Sequence, residues 1–147
     1  FFITLLLFLS SCGYNPIYLD KETNFSISKI VVKDKSKISY NIKNNLKKYV
    51  KLANKPVTLK IELLTKKTIR IKSKDSKGNA KTFEITINVQ LLIDKNGEKL
   101  EKEFIKNFSY ENKDNKFALK TYENDIINNL GDKINLEVNE YIFELAQ

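Results

Sequence analysis

The 147-residue chain has no His, no Met and no Trp, a single Cys at position 12, two Pro and four Gly. Without His, and with one thiol, neither a Ser/His nor a Cys/His nucleophile pair can be assembled, and a zinc site of nitrogen and sulfur ligands is excluded as well. Gly13, Gly78, Gly97 and Gly131 stand far apart, so no Gly-rich phosphate loop is present. Carboxylate or lysine chemistry is all that remains to an enzyme. Arginine is nearly missing too: of 26 basic residues only Arg70 is Arg. Arg is the side chain that reads guanines and phosphates bidentately, so the net charge of +8 does not point to sequence-specific DNA recognition. The lysine excess, beside 17 Asn and 17 Ile, matches the bias of an A/T-rich coding sequence. It still creates a field that attracts polyanions and anionic head groups. The length suits one domain, which at this size buries roughly two thirds of its unfolded surface without a disulfide or metal.

Residues 1–9 (FFITLLLFL) are apolar except for Thr4 and carry no charge, and Ser10, Ser11 and Cys12 follow directly. A run this short falls below the roughly 20 residues needed to span a bilayer, but it has the length of a signal-peptide core. A start Met and a short positive segment are expected upstream of Phe1. Leu9-Ser10-Ser11-Cys12 resembles a bacterial lipobox, in which small residues precede a Cys that takes a diacylglyceryl thioether and becomes the first residue after cleavage. The expected organisation is a lipoprotein signal peptide over 1–11, a lipidated tether over 12–24 with a turn at Asn15-Pro16, and one domain over 25–147. The acyl chains of such an anchor contribute about 0.8 kcal/mol per buried CH₂, enough for stable attachment when diacyl and N-acyl chains act together.

Period and punctuation give the elements of the domain. Residues 26–32 (SISKIVV) read as a first strand. Ser36 caps a helix expected to reach Leu52, since Ile38, Ile42, Leu46, Tyr49, Val50 and Ala53 recur at helical spacing with lysines between them. Asn54-Lys55-Pro56 stops it. Val57, Leu59, Ile61 and Leu63 alternate as a second strand, and the alternation resumes at Ile69 and Ile71 before the turn around Gly78-Asn79. The third strand carries Phe83, Ile85, Ile87, Val89, Leu91 and Ile93 on one side and Glu84, Thr86, Asn88 and Gln90 on the other, a period of two that means one buried and one wet face. Asn96-Gly97 is a hairpin turn. A fourth strand, about 99–110, has Phe104, Phe108 and Tyr110 in phase with Lys102 and Lys106, which implies an edge or a bulge. A long helix to about Leu145 follows, with Leu119, Tyr122, Ile126, Leu130, Ile134, Val138, Tyr141 and Leu145 on one stripe and a break possible at Gly131. The fold class is α/β, an α+β two-layer sandwich: a four-stranded mixed sheet with two helices packed on one face, in the order βαβββα.

The lipobox, the segment Gly13-Tyr14-Asn15-Pro16-Ile17-Tyr18, the strand, helix and meander, and Phe117-Ala118-Leu119 at the start of the terminal helix together resemble the LPS-assembly lipoprotein family, LptE. The resemblance covers nearly all of the chain after Cys12; the heavy lysine bias and the lack of a long C-terminal tail are departures. It implies a protein with no catalytic activity and no cofactor. Such a protein is anchored by acyl chains at Cys12 on the periplasmic side of the outer membrane, plugs the large LptD β-barrel in a 1:1 complex, and assists lipopolysaccharide transport. The charge map is polarised: residues 65–81 hold seven basic residues against Asp75, net +6, while residues 121–147 hold Lys133 against six acids, net −5. A basic hairpin tip can seat lipid A phosphates, and the candidate residues are Lys74, Lys77 and Lys81, with Lys120 next to Phe117-Ala118-Leu119 by the family's pattern. A solvated lysine edge is the ordinary alternative for any one of them. Two other functions stay open: a lipoprotein that binds phospholipid or peptidoglycan without a barrel partner, and an enzyme using Glu101 and Glu103, two apart on one strand face at roughly 7 Å.

Overall fold

The structure, a computed structural model, describes residues 23–147; the signal segment, Cys12 and almost all of the tether lie outside the described residues. Two turns set the frame. Gly78 has φ +85°, and Asn96 and Gly97 have φ +50° and +96°, a backbone that matches the right-handed twist of flanking strands. Around these turns run β2 (Val57–Lys74), β3 (Ala80–Lys95) and β4 (Glu98–Glu111), all antiparallel, with Ile61 opposite Ile93 and Val89 opposite Phe104. β1 (Phe25–Val32) pairs parallel with β2 through a shift between Ile27 and Lys29, giving the sheet order β1-β2-β3-β4. The expected mixed sheet and the order βαβββα are what the chain adopts.

The buried face follows the alternation. Leu59, Ile61 and Leu63 of β2 and Ile85, Ile87, Val89 and Leu91 of β3 have no exposed surface, and each buried side chain of this size stabilises by about 1.5–3 kcal/mol. Both helices cover that face. α1 (Lys37–Leu46) starts where the Ser36 hydroxyl accepts the N–H groups of Ile38 and Ser39, as the cap signal predicts, and it buries Ile38, Ile42 and Leu46. It ends six residues before the expected Leu52, giving way to a 3₁₀ turn over Lys47–Tyr49. Tertiary contacts outweigh the periodicity there: Tyr49 leaves the helix to pack on Phe25 and Phe143, Val50 makes a bridge with Ile27, and Ala53 is exposed.

α2 (Lys116–Leu145) is capped by Asn115 and runs unbroken through Gly131. Gly131 is buried where the two helices cross, and a Cβ there would come within 2.9 Å of Ile38 Cγ1. Its value is in the close approach rather than in flexibility. The buried stripe continues through Ile134, Val138 and Ile142 to Ala146, so it drifts one residue past the expected Tyr141 and Leu145, which are half-buried. Tyr141 sits at the flank against Phe104. β4 pairs with β3 without a register shift and is an edge strand, which decides between the two readings of its lysines. Lys102 lies over the Tyr141 ring at 5.6 Å and Lys106 makes an ion pair with Glu137, so both lean along the rim between sheet and helix. Among the described residues no helix is long and apolar enough to cross a membrane.

Candidate functional site

The β2–β3 hairpin outruns its cover. β1 pairs with β2 only as far as Leu63, while β2 continues to Lys74, so the hairpin projects beyond both β1 and α1. Asp75 shapes the tip: its Oδ1 accepts the N–H groups of Lys77 and Asn79 at 2.9 and 2.8 Å, and its own N–H reaches the Asn79 carbonyl at 2.9 Å. These bonds favour the ionised carboxyl, with the Asn79 N–H foremost, and hold Asp75 below its ordinary pKa of 3.8. Asp75 therefore stays ionised and offsets one of the seven positive charges of residues 65–81, leaving the net of +6. Lys74, Lys77 and Lys81 are exposed and make no ion pair among the described residues.

The chain then returns to the same end. Asn112 donates its backbone N–H to the Lys81 carbonyl at 2.9 Å and its side-chain amide to the Ala80 carbonyl at 2.9 Å, fixing the start of α2 beside the hairpin. Lys120, on the second turn of α2, is thus brought to the end of the molecule that holds the hairpin lysines, and it too is exposed without an ion pair among the described residues. Lys113 and Lys116 join them, though Lys113 lies over the Tyr122 ring at 4.2 Å and Lys116 bonds to Asn112. Phe117, next to Lys116 in the first turn of α2, has 83% of its surface exposed. Beneath, Tyr110 donates to Glu123 at 2.6 Å, and burial, with that carboxylate, raises the phenol well above its usual pKa of 10.0.

One element of the tip escapes a simple alternation. Glu84 belongs to the wet face yet is buried, with Arg70 Nε and Nη2 donating to its Oε1 at 2.9 and 2.6 Å and Lys72 Nζ 3.4 Å from Oε2. The Arg70 hydrogen bonds are the main reason its pKa lies below 4.5. Two of the seven basic residues in 65–81 thus serve a fixed internal carboxylate. The turn carried the signal: a hairpin centred on Lys77 places position 70 opposite position 84, and that is the register.

Glu101 and Glu103 do share the open sheet face, but each accepts from an amide of β3, Gln90 and Asn88 respectively. Among the described residues no group of three His, Cys, Asp or Glu could hold a metal ion. A cleft of about 500 Å³ lies between the start of α1, β2 and α2, lined by Lys37, Thr65, Lys67, Asn124, Ile127 and Asp132 among others.

No protein-family model and no curated protein matches the chain. Solved structures do share its fold. Rare lipoprotein B from Shewanella oneidensis superposes with a TM-score of 0.59 at 14% identity, over 83% of this chain and 99% of that one. An uncharacterized lipoprotein B from Nitrosomonas europaea gives a TM-score of 0.63 at 11% identity, over 84% of this chain and 87% of that one.

Proposed function

We propose that this protein is a lipid-anchored outer-membrane lipoprotein that occupies an LptD-type β-barrel and assists lipopolysaccharide transport, without catalysis of its own. The observation that carries the reading is the gathering of Lys74, Lys77, Lys81 and Lys120 at the open end of a domain whose fold is that of two bacterial lipoproteins. The sequence Leu9-Ser10-Ser11-Cys12 supports the anchor. Lysines that keep their charge unpaired act as hydrated point charges for phosphate, and the polar sheet face remains open for contact with a barrel wall. Lipopolysaccharide phosphates are the anions this tip would meet at the outer membrane.

The test is purification of the full chain from detergent-solubilised membranes with identification of what accompanies it. A large β-barrel protein in 1:1 ratio is the expected companion. Recovery with phospholipid or peptidoglycan and no barrel would replace the proposal with the simpler lipoprotein reading. The mass of the N-terminal peptide checks the anchor separately, since Cys12 must carry acyl chains.

A further inference from the structure

Beyond Leu63 the edge of β2 has no neighbouring strand among the described residues. The direction of its backbone groups follows from two bonds: Leu63 accepts from the Lys33 N–H at 2.8 Å, and the Thr65 N–H donates to Asp34 Oδ2 at 2.8 Å. Both point to the β1 side. Register with β3 is unbroken from Leu59 to Ile71, so every second residue repeats that direction, and the N–H and C=O groups of Lys67, Ile69 and Ile71 face the open edge. Asp34 ends the β1 pairing by taking the next N–H itself. Past it, Ile69 and Ile71 keep the inward phase of the core yet are 38% and 49% exposed, because neither β1 nor α1 reaches them. The cleft lined by Thr65, Lys67, Asn124 and Ile127 opens at the foot of the same edge.

We propose that this edge, residues 65–74, docks an extended segment of a partner protein as a fifth strand, and that the segment alternates apolar with acidic residues. Strand addition supplies main-chain bonds to Lys67, Ile69 and Ile71, while apolar side chains of the incoming strand cover Ile69 and Ile71. Its other face meets Lys66 and the Arg70 and Lys72 side chains that also hold Glu84, and the five basic side chains of residues 65–74 against that one carboxylate still leave +4 at this edge. That charge also argues against a second copy, since edge-to-edge pairing of two such strands opposes like charges. The inference does not rest on the lipopolysaccharide reading.

The experiment uses the full chain and two fluorescent peptides of about ten residues, one alternating Val with Glu and the other Val with Lys, a length that matches an ordinary strand. The Val/Glu peptide is expected to bind and the Val/Lys peptide not. On binding, amide exchange should slow at Lys67, Ile69 and Ile71 and stay unchanged at Lys66, Thr68 and Arg70, which already face β3. Ile69→Pro removes an N–H that serves no ladder bond, so it should keep the thermal melt and weaken the peptide about tenfold or more. If that variant unfolds, the exchange pattern of the wild type decides alone. Equal binding of both peptides, binding of neither, or protection elsewhere overturns the proposal. So does protection of this edge by phosphatidylglycerol vesicles in place of peptide, or by concentration-dependent dimerisation.

Discussion

The two ends of the sheet obey one alternation and meet different fates. At the base, Phe25, Tyr49 and Phe143 close on one another with ring centroids 5.1–5.5 Å apart, and Ile61 and Leu63 are fully buried. At the tip, Ile69, Ile71 and Phe108 hold the same phase on the same face and remain exposed. Side-chain pattern alone does not distinguish them. What differs is the covering layer: β1 stops at Val32, α1 begins near Thr65 and runs toward the base, and α2 lies over β3 and β4. The base is thus built for stability, and the tip presents charge and open backbone.

The sharpest way to break this comparison is to place a carboxylate at equivalent positions of the two ends. Ile61→Asp is expected to abolish folding, because a carboxyl buried without partners costs several kcal/mol even when it protonates, and with the lost Ile packing this takes up most of a domain's margin of about 5–15 kcal/mol. Ile71→Asp, same strand and same phase, should cost only about 1–2 kcal/mol, from its half-buried apolar surface and the poorer strand propensity of Asp, and leave the domain folded. Urea titrations of both variants measure this, and equal losses would mean that the tip is as well packed as the base.

A smaller loss is expected where the helices cross. Gly131→Leu forces a branched side chain against Ile38, already 2.9 Å from an added Cβ, and should destabilise by about 1–3 kcal/mol despite the better helix propensity. Pairing it with Ile38→Ala should recover part of that loss in the same melt.

Acid distinguishes the ends more gently. Glu84 has its folded pKa depressed below 4.5, so its contribution is present above pH 4.5 and is lost as the pH falls through the folded value. Glu84→Gln should therefore flatten the fall of Tm with pH below 4.5 while lowering Tm at neutral pH. A parallel acid slope in wild type and variant would remove Glu84 from the account.

The least effect on stability is expected from the lysines themselves. Replacing Lys74, Lys77 and Lys81 together with Gln should leave the melt within about 0.5 kcal/mol, since none is paired. Lipopolysaccharide binding should nevertheless fall steeply and lose part of its salt dependence. Lys43, Lys47 and Lys51, toward the base, give a control of equal charge change. Equal loss from both triples would reduce the tip to a general field effect.

Much of the architecture was legible because its signals are local. Asn96-Gly97 and Gly78 mark backbone conformations that L side chains disfavour, and the run from Phe83 to Ile93 fixes which face is buried for β3 and, through register, for its neighbours. Ser36 marks the start of α1 for the same reason, since its hydroxyl bonds within its own turn. The end of α1 was not legible, because Tyr49 and Val50 leave the helix for Phe25, Phe143 and Ile27, partners distant in sequence. Nor was the role of Gly131, which depends on Ile38 arriving from another helix. For the candidate site, the sequence by itself determined the excess of lysine around the β2–β3 turn. Only the tertiary structure decided that Arg70 and Lys72 are held by Glu84, that Asn112 brings Lys120 to the hairpin's end, and that β2 is left with an open edge. Charge is a property of composition, whereas exposure and pairing depend on which distant segments stop short of covering a strand.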